Sequence, residues 1–305
     1  GSGAWIDESL SAKGIKGLTS VIINGGNFTI NSADDSIHSN GELTINSGTF
    51  QIASADDGIH ADTSLTINGG EIAVNESYEG IESALITING GNLHINASDD
   101  GINVASGVDG SGGMFGSRPG GGPGQDMFSV GGDYYLYING GYVYVNADGD
   151  GLDANGGIVM TDGVVLVNGP TNNGNGALDY LSTFTISGGT LVAAGSSGMA
   201  QATSADSTQN AVLINLDSSQ QAGTVFNLTD NAGNSILSFS PVKIWQSVLV
   251  SSPALESGSD YTVNLGGNIS GEVVDGLATT GVYTGGNQYT TFAVSSSVTY
   301  LGAVS

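Results

Sequence analysis

The chain has 305 residues, with 29 Asp plus Glu against 4 Lys plus Arg and a formal net charge of −25. Such a surface repels nucleic acid and anionic lipid and attracts cations, so nucleic acid is not expected as a partner. No apolar run is long enough to span a bilayer, and with no cysteine the fold cannot rest on disulfides.

In chain order, Gly1-Ser2-Gly3 has the form of a cloning remnant, so an export signal is expected to have been removed ahead of it. Residues 1–12 are expected to cap the open end of a stack of repeats. From Lys13-Gly14-Ile15-Lys16 onward the chain repeats two phrases. One is Ile-Asn-Gly-Gly or a close variant, starting at Ile23, Ile45, Ile67 and Ile88, in steps of 22, 22 and 21 residues. The other is Asp34-Asp35-Ser36-Ile37-His38, then Asp56-Asp57-Gly58-Ile59-His60, Tyr78-Glu79-Gly80-Ile81-Glu82 and Asp99-Asp100-Gly101-Ile102-Asn103. A fixed period of this size marks a stacked repeat. Apolar and polar residues alternate within the runs, as in Leu65-Thr66-Ile67, which is strand periodicity. A unit this short cannot hold a strand, a helix and a second strand, which needs about 30 residues. It fits one coil of a parallel β-helix, with coils roughly 4.8 Å apart. The corner isoleucines Ile37, Ile59, Ile81 and Ile102 should stack inside. The columns Asn24, Asn46, Asn68, Asn89, Asn139 and Asn31, Asn75, Asn96, Asn146, Asn168 should form amide ladders.

The period breaks after Val104, and the Gly-rich stretch Gly107 to Asp133, with Met114, Phe115, Met127 and Phe128, reads as a loop inserted in one coil. Coils resume with Tyr137-Ile138-Asn139-Gly140-Gly141 and Asp150-Gly151-Leu152-Asp153, and a looser one has Ala177-Leu178-Asp179 at its corner. The expected organisation is therefore all-β: regular coils over 4–190 with the insertion at 107–133, then degenerate coils and a C-terminal β cap over 191–305. A separate small β domain is the alternative for the last part.

Stacking turns the repeated acids into columns. One column reads Lys13, Asp35, Asp57, Glu79, Asp100, Asp150, and another Lys16, His38, His60, Glu82, Asn103, Asp153, Asp179. Carboxylates about 5 Å apart repel by a few kcal/mol at an effective dielectric of about 20. Calcium, which takes 6–8 oxygens, would offset that repulsion. The candidate ligands are Asp34, Asp35, Asp56, Asp57, Asp62, Glu79, Glu82, Asp99, Asp100, Asp148, Asp150, Asp153 and Asp179. A solvated acidic ridge, with Lys13 and Lys16 paired to the first acids, is the plainer alternative. A closed zinc site is not expected, since cysteine is absent and the three histidines look scattered. Candidate sugar contacts are Tyr135, Tyr137, Tyr142 and Tyr144, an outward aromatic row able to stack on pyranose rings, together with His38 and His60. Packing of the tyrosines beneath the insertion is the alternative reading.

Catalysis is not expected. The only cations are Lys13, Lys16, Arg118 and Lys243, none of them placed in mid-stack beside the acids, and the acids are repeated rather than singular. A polyuronate lyase or hydrolase and a self-assembling fibre or adhesin, joined end to end as a homo-oligomer, are the competing readings.

The combination of Lys13-Gly14-Ile15-Lys16, the Ile-Asn-Gly-Gly and Asp-Asp-Gly-Ile-His phrases, the Gly-rich insertion and Gly285-Gly286-Asn287-Gln288-Tyr289-Thr290-Thr291-Phe292 resembles a bacterial family of carbohydrate-binding, polysaccharide-lyase-like β-helix proteins. The resemblance implies a right-handed parallel β-helix, in keeping with the usual hand of parallel crossovers. It further implies bound calcium, no established cleavage, and binding of acidic sugar polymer and of cellulose by a secreted or cell-surface protein. It places calcium ligands at Asp34, Asp35, Asp56, Asp57, Asp99, Asp100, Asp150 and Asp153. Tyr78-Glu79 and Gly149-Asp150 depart from the Asp-Asp pattern.

Overall fold

A computed structural model describes residues 1–3, 11–105 and 134–302. The expected insertion at 107–133, with Arg118, and most of the expected N-terminal cap lie outside the described residues. The described residues form strands and turns with no helix, and hence no helix among them is long and apolar enough to cross a membrane.

The period becomes a three-sided β-solenoid. Each coil contributes one strand to each of three parallel sheets, two of them seven-stranded and the third extended to ten. In the second coil these strands are Ile37–Ser39, Glu42–Ile45 and Thr49–Ala53. Like pairs with like across coils: Ile37 lies opposite Ile59, Ile59 opposite Ile81 and Ile81 opposite Ile102. The inward column of these isoleucines is fully buried. The alternation of the sequence is thus the alternation between the core and the outside.

The Asn24 column forms the expected ladder at an exposed bend. Asn46 donates to Asn24 (2.7 Å), Asn68 to Asn46 (2.8 Å), Asn89 to Asn68 (2.8 Å) and Asn139 to Asn89 (2.9 Å). The second ladder is only partly made. Asn146 donates to Asn96 (3.1 Å), but Asn75 turns to Gln51 and Asn168 accepts from the backbone of Val242. The bend into the third sheet needs glycine. Gly70 has φ +115°, and a Cβ there would come within 2.9 Å of the Gly48 carbonyl oxygen in the coil before.

The parallel stack ends at strand Thr190–Gly195 in the third sheet, which pairs antiparallel with Trp245–Ser251. Ala211–Gln220 lies beyond that strand, also antiparallel to it. A separate five-stranded sheet includes Phe226–Asp230 and Asp260–Leu265. Its core, around Phe226, Phe239 and Trp245, packs on the outer face of the third sheet, on Leu166, Val192 and Ala194. Strands Val164–Asn168 and Thr190–Gly195 are therefore buried on both faces, which is why they read as continuous apolar runs rather than alternations. At the end of the second sheet the ladder groups of Phe184 and Ile186 are taken up by the segment 204–209.

Candidate functional site

The acidic corner precedes the first strand of each coil. In the first coil a lysine fills it. Lys13 Nζ lies 2.8 Å from Asp34 Oδ1 and 2.6 Å from Asp35 Oδ2, with its side chain 2% exposed. Burial pushes the Asp35 carboxyl up, but the hydrogen bond from His38 and the Lys13 charge outweigh it and hold it below the usual range.

The next coils place histidines beside the acids instead. His38 Nδ1 donates to Asp35 Oδ2 (2.7 Å), and His60 Nδ1 donates to Asp57 Oδ2 (2.7 Å). The two imidazoles stack one coil apart, centres 4.9 Å, planes 30°. Glu82 Oε2 lies 3.0 Å from His60 Nδ1. Burial alone would lower the His60 pKa, but the Asp57 and Glu82 carboxylates raise it to about 12. Asp57 is nonetheless pushed well above the usual carboxylate range, by burial first and then by the charges of Glu82, Asp35 and Asp56. One imidazolium does not neutralise so many carboxylates. Both histidines are fully buried, so the structure turns inward two side chains expected to touch sugar. It also shows that two of the three histidines are neighbours rather than scattered. The recurring Asp-x-x-His spacing at Asp35/His38 and Asp57/His60 is the sequence signal for this. On the bend after these strands, Asp62 Oδ1 lies 3.4 Å from His60 Nε2 and 3.7 Å from His38 Nε2. Its Oδ2 accepts from Asn40 (3.2 Å).

Farther along, the corner phrases contain no histidine. Glu79 accepts from Asn103 (2.8 Å), yet burial, then the charges of Glu82 and Asp57, push its pKa well up. Asp100 Oδ1 accepts from the backbone N–H of Asp150 (2.6 Å), and Asp150 accepts from the backbone N–H of Gly176. Asp99 and Asp100 converge on the Gly149 Cα of the next coil. A Cβ at Gly149 would meet Asp100 Oδ1 at 2.4 Å and Asp99 Oδ1 at 2.5 Å. Glycine at 149 thus lets the two carboxylates close up against the backbone of the next coil, where any side chain would clash.

The remaining candidates divide. Asp34, Asp35 and Asp56 bring oxygens within 4.8 Å of one another, and so do ligand atoms of Asp57, His60 and Glu82. Asp148 instead meets Lys243 from the C-terminal part (3.2 Å), a contact that no sequence pattern announces. Asp153 is buried in register between Asn103 and Asp179, and Asp179 accepts from Gln201 (2.9 Å).

The tyrosine row splits in two. Tyr135 and Tyr137, on the second sheet, stack on each other with centres 5.6 Å apart and planes 19° apart. The Tyr135 ring lies over Gly157, where a Cβ would be 2.7 Å from Cε1. Tyr142 and Tyr144, on the third sheet, pack against the C-terminal core. Tyr142 donates to Asp275 Oδ2 (2.7 Å), which His94 Nε2 also meets (2.8 Å). Asp275 lies 133 residues from Tyr142 and is invisible to any local pattern.

Comparison with known proteins adds one match. The model of a family described as carbohydrate-binding domain-containing protein matches residues 2–58 and again 55–101. The likeness thus covers about the first third of the chain, including the coils of Asp35, Asp57 and Glu79. No curated protein and no solved structure matches the chain.

Proposed function

We propose that this chain is a non-catalytic carbohydrate-binding β-solenoid acting outside the cell, which takes an acidic, polygalacturonate-like polymer through calcium held on its corner carboxylates. One observation carries the reading: the Lys13 ammonium, buried between Asp34 and Asp35, stands where a free cation would otherwise sit. The stack goes on to place Glu79, Asp99, Asp100 and Asp150 at the equivalent corners, in phrases that contain neither lysine nor arginine. These residues fit calcium, since their donors are hard carboxylate oxygens and Asp99 and Asp100 bring two of them together beside Gly149. Asp34 and Asp35 fit it poorly, because Lys13 is already there. Bound calcium would offset the column's repulsion and keep a coordination position open to a uronate carboxylate.

The protein's own groups then divide the work. Asp99, Asp100, Glu79 and Asp150 supply charge and oxygen donors. Tyr135 and Tyr137 supply an aromatic surface suited to a pyranose face. A chain at −25 repels a polyanion on its own, so binding without the cation is not expected. The match to a carbohydrate-binding family supports a sugar partner, and cellulose belongs to the same class of ligand. Lys13 and Lys243 are each engaged by aspartates, which favours binding over the proton abstraction a lyase needs.

The experiment is calorimetric titration of polygalacturonate into the full chain, with calcium and with excess chelator. Binding that appears only with calcium supports the reading. Equal binding in chelator overturns the bridge.

A further inference from the structure

The second sheet runs the length of the regular stack and stays almost free of charge. Among the residues of its seven strands Glu42 is the only charged one, on a chain of net charge −25. Its outward residues stand in register from coil to coil: Thr44 opposite Thr66, Thr66 opposite Thr87, and Thr87 opposite Tyr137. The C-terminal core packs on the third sheet and includes no residue of the second. The acidic corner joins the third sheet to the first, so the second sheet lies across the coil from it.

The exposed Asn24 ladder forms one rim of this face, and Thr161 extends it by donating to Asn139 (3.1 Å). An amide has two N–H donors and two acceptor sites. Asn46, Asn68 and Asn89 each spend one donor and one acceptor on the ladder, which leaves one of each per coil for solvent or a ligand. Outward threonines are ordinary strand residues. The tyrosines need a further reason. Tyr135 and Tyr137 hold their rings within 19° of parallel, and the Tyr135 ring occupies the room that a side chain at Gly157 would take. Both rings are half-buried rather than covered. Aromatic area, hydroxyls and amides without a cation suit an uncharged sugar chain better than a uronate.

We propose that the outer face of the second sheet is a separate glycan site, which takes an extended, uncharged polysaccharide laid across the strands along the stack axis. Tyr135 and Tyr137 form its stacking platform, and Thr44, Thr66, Thr87 and the ladder amides form its hydrogen-bonding rail. Coils repeat at about 4.8 Å, so a straight sugar chain meets the same polar groups again at every coil. The carbohydrate-binding family match spans Thr44, Thr66 and Thr87 and the ladder from Asn24 to Asn89. The proposal rests on the sugar-binding reading above but uses no calcium, because no acidic corner lies on this face.

The test is calorimetric titration of cellohexaose and cellobiose, as uncharged probes, into the full chain in excess chelator. Cellohexaose should bind, and cellobiose much more weakly. Tyr137→Ala should weaken cellohexaose by about fivefold. Thr44→Glu, three coils or about 14 Å from Tyr137, should weaken it as well, because a chain along the axis reaches both. Thr29→Glu, exposed on the third sheet, should leave it unchanged. The proposal is overturned if cellohexaose does not bind in chelator, or if Tyr137→Ala and Thr44→Glu bind it as tightly as the wild type. Polygalacturonate taken up with calcium while cellohexaose is ignored would sink this site alone. Failure of both polymers would sink the sugar-binding reading with it.

Discussion

The first coils and the later ones solve one problem in two ways. Around Asp34 and Asp35 the balancing cation is covalently part of the chain, as Lys13, and the His60 imidazolium continues that role toward Asp57. Around Glu79, Asp99 and Asp100 the corner phrases recur with no lysine or histidine in them, and the Glu79 carboxyl is pushed up by burial and its charged neighbours. A repeat can thus keep its geometry while the basic residue at its corner changes or disappears from coil to coil. The solenoid's acidity is local chemistry, coil by coil, rather than a uniform coating.

The sharpest way to break this contrast is to remove the internal cation. Lys13→Met leaves buried Asp34 and Asp35 without that charge, and loss of one member of a buried pair costs about 3–5 kcal/mol. Thermal unfolding in chelator should show that loss, and added calcium should restore part of it. Unfolding unchanged in both conditions would mean that Lys13 is not the stand-in. Next in size, Asp100→Asn should weaken calcium by about tenfold or more, equivalent to about 1.4 kcal/mol. Calorimetric titration of calcium into the chelator-stripped variant checks it.

A smaller effect has the opposite sign. The Glu79 carboxyl lies above its ordinary range, so its charged form costs folding free energy at neutral pH. Glu79→Gln in chelator should therefore raise the unfolding midpoint by about 2–4 °C. That gain should vanish as pH falls below the ordinary glutamate range, where the wild type is protonated whether folded or unfolded. A lower midpoint at neutral pH in chelator would show that the column is not strained there. Smallest of all, Tyr135→Ala should weaken polymer binding by about 1 kcal/mol or less. Tyr144→Ala, beneath the C-terminal core, should lower stability and leave polymer affinity alone. Equal effects of the two on affinity would erase the distinction between the tyrosine pairs.

The solenoid is legible in the sequence because its physics is periodic. Ile37, Ile59, Ile81 and Ile102 recur at one spacing, and parallel pairing turns that spacing directly into a buried column. The acidic corners are legible for the same reason. What escapes is aperiodic. Asp275 reaches Tyr142 and His94, and Lys243 reaches Asp148, from the antiparallel part, where no repeat fixes a register. The inward turn of His38 and His60 follows from Asp35 and Asp57 three residues earlier. That spacing is visible in the sequence, but a histidine that shares a column with charged residues reads as surface chemistry.

The asparagine ladder crosses from Asn89 to Asn139 at 2.9 Å although 50 residues separate them, more than twice the 22 that separate Asn68 from Asn46. Stretching one coil from about 22 to about 50 residues costs only about 0.7 kcal/mol in closure entropy, and the neighbouring coils keep their register. In design terms that corner is a docking port. A coil there carries whatever sequence is spliced into it as freight, and the rack on either side stays in step.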